Sequence, residues 1–212
     1  MRRNLPGWWR TDPASAAFHE QYARFGPSIY DGWAEPDFQV HTGDLVLEGD
    51  FTAPGLATLI LGNLTVAGYV DLRNDENKGF DEGGVFVVLG SVRCRVFAGH
   101  YGKCSFVDGD LTAQDLLLNA YEDSSLIVTG HLRTNFFFGH DIWAEVGAGA
   151  AMSYGDGTAR PLGSDAGPAA IRPRHDEATS LALLAEDDPD TLKDLTAGDL
   201  MELVRTGQPV FR

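Results

Sequence analysis

The 212-residue sequence predicts a mainly β fold, a parallel β-solenoid of about five coils with an aromatic N-terminal cap and a short α-helical C-terminal segment. Three observations predict it: a tripeptide that returns at coil spacing, period-two alternation between its copies, and an abrupt change of composition on both flanks.

The tripeptide is a glycine, a small or polar residue, then an apolar one. It occurs as Gly43-Asp44-Leu45, Gly49-Asp50-Phe51, Gly62-Asn63-Leu64, Gly90-Ser91-Val92, Gly109-Asp110-Leu111 and Gly130-His131-Leu132. The last three glycines are 19 and 21 residues apart. The step of 28 from Gly62 to Gly90 contains the polar, glycine-rich stretch 73–84. Removing that stretch as a loop insertion of about nine residues restores the period. Between the glycines, Leu45 and Leu47, Leu64 and Val66, Val92, Cys94 and Val96, Leu111 and Ala113, and Leu126 and Val128 alternate with polar residues such as Thr65, Arg93, Arg95 and Thr112. Alternation means strands with one buried face, and a corner glycine is expected where a chain needs positive φ or close backbone approach. An antiparallel sandwich would explain the alternation, but it does not require one tripeptide to return at coil spacing.

Open coil ends leave β-edges and apolar core uncovered, so a solenoid needs caps. Residues 1–40 carry Trp8, Trp9 and Trp33 with Phe18, Tyr22, Phe25, Tyr30 and Phe38, and read as an aromatic cap. The solenoid is assigned to 41–146. Residues 147–175, rich in Gly, Pro and Ala, read as a linker. In 176–212, Leu181, Leu184, Leu192, Leu195, Leu200, Leu203 and Val204 have helical spacing, Asp190 and Thr196 are candidate N-caps, and Gly207 with Pro209 is a stop signal. This segment reads as short helices able to dock back as the second cap.

With 16 Lys+Arg against 31 Asp+Glu the net charge is −15, which argues against nucleic acid as a partner because that affinity comes from cationic side chains. No apolar run approaches the roughly 20 residues a bilayer span needs, so no membrane partner is expected. The basic N-terminus leads into Gly7-Trp8-Trp9 and not into an apolar region, so a cytoplasmic location is expected. Cys94 and Cys104 are then reduced thiols.

No catalytic or cofactor motif is present, and no enzyme activity, cofactor or metal is expected. None of His19, His41, His100, His131, His140 and His175 stands at ligand spacing from another within one element. Counted from the repeat glycines, His100 and Tyr101, then Tyr121, Glu122 and Asp123, then His140 and Asp141 fall in equivalent turns, which a solenoid stacks along one edge. That column reads as a recognition surface of aromatic and acidic residues, or as turns that are polar because they face water. The insertion adds the acids Asp75, Glu76, Asp81 and Glu82, either a dock for a basic partner or a solvated loop. Residues 41–146 hold 15 acids and 6 Lys+Arg, so long-range attraction would favour a basic protein. Plain solubility would also explain the charge.

The stretches Leu59-Ile60-Leu61-Gly62-Asn63-Leu64-Thr65-Val66-Ala67-Gly68, Val85-Phe86-Val87-Val88-Leu89-Gly90-Ser91-Val92 and Val107-Asp108-Gly109-Asp110-Leu111-Thr112-Ala113, with the C-terminal Leu203-Val204-Arg205-Thr206-Gly207-Gln208-Pro209-Val210-Phe211-Arg212, resemble a bacterial family of acidic β-solenoid proteins. Members of that family are associated with polymorphic toxin loci and look like immunity proteins. The chain is similar to bactofilin-like filament proteins at the level of fold only, since an aromatic lid and a helical tail would block end-to-end growth. The resemblance implies an immunity protein that binds and inhibits a basic toxin domain through an acidic solenoid surface. Two alternatives stand beside it. One is a scaffold or homo-oligomer forming filaments. The other is a hexapeptide-type acyltransferase, whose six-residue register is met by Leu126, Leu132 and Phe138 and by Leu111 and Leu117 but does not persist.

Overall fold

The computed structural model describes residues 2–4, 37–53, 57–72, 84–99, 103–119, 124–139, 143–163, 170–184, 200, 202–204, 206 and 208–211. They form a stack of coils, here called rungs. Strand β1 (Arg2–Asn4) precedes the first rung, which holds β2 (Asp37–Thr42), β3 (Leu45–Leu47) and β4 (Phe51–Thr52). The second holds β5 (Ala57–Leu61), β6 (Leu64–Val66) and β7 (Tyr69–Asp71). The third and fourth are β8 (Gly84–Val88) with β9 (Val92–Ala98), and β10 (Lys103–Val107) with β11 (Leu111–Leu118). The fifth and sixth are β12 (Ser125–Val128) with β13 (His131–Gly139), and β14 (Trp143–Val146) with β15 (Gly149–Gly157), after which β16 (Arg160–Pro161) begins another turn.

One sheet stacks β1-β2-β5-β8-β10-β12-β14-β16, and the other stacks β15-β13-β11-β9-β6-β3 with β4 and β7 alongside. Among the described strands only β1 with β2 is antiparallel; the other strand pairs run parallel, which excludes the sandwich. The tripeptide's apolar residue sets the register, with Leu45, Leu64, Val92, Leu111, Leu132 and Ala150 in one column.

Inward side chains of both sheets meet in one core that includes Leu64, Phe86, Val88, Phe97, Leu117, Leu126 and Phe137. β9 pairs with β6 near its start and with β7 near its end, so the second sheet has two halves. The outward side of the first sheet is a second apolar cluster of Leu59, Val85, Val87, Phe106 and Ile127. The far half of the second sheet carries a third, in which Val96, Leu116 and Phe136 pack with Leu184 and Leu200. The near half turns polar residues outward, among them Thr65, Arg93 and Arg133.

The corner glycines are required chiefly by close approach. A Cβ on Gly62 would stand 2.5 Å from the Gly43 carbonyl carbon, one on Gly90 2.6 Å from the Gly62 oxygen, and one on Gly109 2.8 Å from the Gly90 carbonyl carbon. At Gly62, Gly90, Gly109 and Gly130 the backbone of the rung beneath fills that space, and a methyl there would force a shift; in the sixth rung Ala148 takes the place of the glycine. Gly43, in the first rung, has nothing beneath it and is held instead by a φ of 91°.

The second residue of the tripeptide ties each rung to the next. Asp44 Oδ1 accepts from Asn63 N at 2.8 Å, Asn63 Oδ1 from Ser91 N at 2.9 Å, Ser91 Oγ from Asp110 N at 3.1 Å, and Asp110 Oδ1 from His131 N at 2.8 Å. Small polar side chains that bond to nearby backbone are what this position needs. Asp50 does the same at a second corner, accepting from Tyr69 N at 2.9 Å.

Two expectations are corrected. Residues 147–175 are no linker over their first part, since β15 and β16 complete the sixth rung and start the next. Small residues are what a closing rung needs: a Cβ on Gly155 would collide with the Phe137 carbonyl oxygen, while Met152 keeps the inward alternation and joins the core. The solenoid also starts before residue 41, because β2 pairs with β5 from Phe38 onward. The rest of the predicted N-terminal cap, including Trp8, Trp9 and Trp33, lies outside the described residues.

Helix α1 (Glu177–Leu181) is capped by Asp176, whose carboxylate accepts from Thr179 N at 2.7 Å. The segment around it covers the edge of the last rung: Arg174 N donates to Met152 O at 2.9 Å, His175 N to Ser153 O at 3.0 Å, and Gly155 N to Ser180 Oγ at 2.8 Å. His175 stacks on Tyr154 with ring centroids 4.5 Å apart. The tail then returns along the outside, bridging Leu184 to Phe211 and setting Phe211 5.6 Å from Phe136. It acts as cap and side strap together. The candidate N-caps Asp190 and Thr196 lie outside the described residues. Among the described residues no helix is long and apolar enough to cross a membrane.

Candidate functional corner

Each rung passes from the far half of the second sheet back to the first sheet at one corner. The strand ends there are stacked: Leu72 N donates to Ala98 O, Gly99 N to Leu118 O and Asn119 N to Phe138 O, each at 2.9 Å. On the other side Gly84 is in register with Lys103, and Cys104 with Ser125. The connections at this corner are residues 73–83, 100–102, 120–123 and 140–142.

All eleven residues predicted to contact a partner fall in those connections: Asp75, Glu76, Asp81 and Glu82, then His100 and Tyr101, then Tyr121, Glu122 and Asp123, then His140 and Asp141. Their own positions lie outside the described residues. Their anchors are described, and they put the acidic insertion and the three turns on successive rungs of the same corner. The sequence spacing aligned the three turns; the insertion's place in the same column comes from the register of β7 and β8.

The base of this corner is polar, which the sequence reading missed. Asp71, Lys103, Ser105, Asn119 and Ser124 are all buried there. Asn119 is fully buried, and among the described residues neither polar atom of its amide has a hydrogen-bond partner; the Ser105 hydroxyl also lacks one there. The two sit together, since a methyl built on Gly99 would stand 3.3 Å from Asn119 Oδ1 and 3.3 Å from Ser105 Oγ. Burial pushes the Lys103 ammonium down to about 8, with the neighbouring Cys104 opposing the shift. The signal in the sequence was a polar residue interrupting an apolar strand, as Lys103 and Ser105 interrupt Lys103-Cys104-Ser105-Phe106-Val107.

The acidity of the solenoid is partly structural. Asp44, Asp50 and Asp110 bind the backbone of the next rung, and Asp108 Oδ1 accepts from Thr129 Oγ1 at 3.0 Å. Hydrogen bonds from the His131 backbone N–H and the Arg133 guanidinium hold the Asp110 carboxyl below the usual carboxylate range. On the outward near half of the second sheet, Arg133 pairs with Asp110 at 3.0 Å and Arg95 with Asp115 at 2.7 Å. These exposed pairs contribute little stability, and they leave that face close to neutral.

Among the described residues no three His, Cys, Asp or Glu side chains are grouped to hold a metal ion. Cys94 is buried and Cys104 half-buried, both as free thiols, and burial pushes the Cys94 thiol up to about 12. No protein-family model, curated protein or solved structure matches the chain significantly.

Proposed function

We propose that this chain is a non-catalytic binding protein of the immunity type, which inhibits a basic toxin domain in the cytoplasm by covering it with the corner described above. One observation carries the reading: the chain's acidic insertion and its aromatic and acidic turns are anchored on successive rungs of a single corner. A partner would meet there the tyrosines that protein interfaces favour and carboxylates complementary to a basic surface. The net charge of −15 would steer a basic partner toward it. The filament alternative needs two open ends, whereas the edge of the last rung is covered by residues 174–180.

The test is a pull-down with the tagged chain from its native lysate at low and moderate salt, with bound protein identified by mass spectrometry. The expected result is one basic partner whose retention falls with salt and falls further for a variant joining D81N, E82Q, E122Q and D141N. Recovery of the chain alone, as large assemblies, would overturn the reading.

A further inference from the structure

The two ends of the stack are finished differently. At the far end the chain covers its own last rung. In the first rung β2 is covered by β1, an antiparallel strand of sequence Arg2-Arg3-Asn4. Beside it, β3 has β6 as its only strand neighbour among the described residues. Leu45 N donates to Asn63 O and Leu47 O accepts from Ala67 N, so both leucines direct their backbone groups to the second rung. In a parallel ladder the residue between them must direct its own N–H and C=O the other way. Val46 is that residue, and it is 65% exposed.

Side chains tell the same story. Leu64 is fully buried in the second rung, while Leu45, directly beneath it in the same inward column, is only half-buried, as is Leu47. An uncovered β-edge with apolar side chains is a template for another strand. Charge selects the kind of strand. Asp44, Glu48 and Asp50 are exposed along this rim, with no Lys or Arg in residues 37–53; Asp44 and Asp50 bond the second rung through one oxygen each, and Glu48 stands beside Val46 on the same strand end. A second copy of the chain would set those carboxylates against their own equivalents.

We infer that the edge of β3, which no described strand covers, takes an extended basic segment of a partner protein as an added β-strand. Main-chain bonds to Val46 supply the docking, and Glu48 with its neighbouring acids selects for Lys or Arg. The inference rests on the proposal of a basic protein partner and names a second place where that partner holds on.

The probe is a fluorescein-labelled peptide alternating Arg and Val over six residues, titrated against the full chain by anisotropy. Binding that weakens with salt is expected, with no binding of the Glu-Val counterpart. In Val46→Pro the lost N–H is one that faces outward, so the inner ladder is kept, and affinity is expected to fall at least about tenfold. Glu48→Lys should weaken binding about fivefold. If Val46→Pro does not fold by circular dichroism, the same peptide N-methylated at alternate residues replaces it and is expected not to bind. Equal binding by wild type and Val46→Pro, no binding by wild type, or a dimer by sedimentation that occupies the edge would each overturn the inference. The pull-down separates the two ideas. A partner lost by the corner variant yet fully retained by Val46→Pro would remove this strand site and leave the proposed function standing.

Discussion

The first rung and the fourth are built from the same tripeptide, yet their glycines are needed for different reasons. Gly109, in the fourth, sits on the backbone of Gly90, whereas Gly49, in the first, has nothing within 4 Å of where a Cβ would be. The contrast extends to the core: Phe137 in the fifth rung is fully buried and Leu45 in the first is not. One repeated motif therefore carries a strict packing requirement in the middle of the stack, at Gly62, Gly90, Gly109 and Gly130, and a loose one in the first rung at Gly49. Position in the stack, and not residue identity, sets the cost of a substitution.

The largest test of this contrast is Phe137→Ala against Leu45→Ala. The first should lose about 4 kcal/mol by urea unfolding and the second about 1.5 kcal/mol, because only the first leaves a closed cavity. Equal losses would break the comparison. Next, Gly109→Ala is expected to cost about 3 kcal/mol, since a coil would have to shift to admit the methyl, while Gly49→Ala stays within about 0.5 kcal/mol.

Lys103 sharpens the contrast through pH. Its folded value of about 8 lies below the 10.5 of an unburied lysine, so between those values the unfolded chain binds the extra proton and stability rises with pH. The gain across that window is about 3 kcal/mol. Cys94, held at about 12 when folded, acts in the opposite sense once unfolded thiols ionise. The slope is therefore best measured between about pH 7.5 and 9, and Lys103→Met should flatten it. The smallest effect concerns the corner ladder. Asp110→Ala should cost about 1 kcal/mol at neutral pH. Because the folded carboxyl titrates below its unfolded value, that difference should vanish as pH falls through the acid range, as chemical denaturation at pH 7 and pH 2 would show.

Much of the fold was legible because the glycine columns and the inward alternation are direct consequences of stacking. Even the uneven period has a local cause. β11 carries one residue more than β9 and β13 between Ala113 and Leu116, where Asp115 meets Arg95, and the connection 120–123 is one residue longer than 100–102. Those two residues account for the step of 21 after one of 19. The sixth rung was hidden because Gly149-Ala150-Ala151 has the composition of a linker, and composition cannot tell a loose segment from a tightly stacked one. The ladder was visible only as a small or polar residue after the corner glycine: Asp44 and Asp110 share that column with Asn63 and Ser91, which have hydrogen-bonding geometry in common and not charge. Of the corner, the sequence supplied the residues and the order of the turns. The buried Asn119, Ser105 and Lys103 at its base could be recognised only once register placed them together.

The tail that straps the outside of the second sheet changes how the stack comes apart. Stacked repeats couple only to their neighbours and fray one at a time, but Leu184, Leu200 and Phe211 join a cluster drawn from the third, fourth and fifth rungs at once. Those rungs are bound into a single cooperative block, and the first two sit outside it except for Tyr69 at its margin. Amide hydrogens of β3 and β4 should exchange with solvent by local opening, and those of β9, β11 and β13 only when the whole block opens.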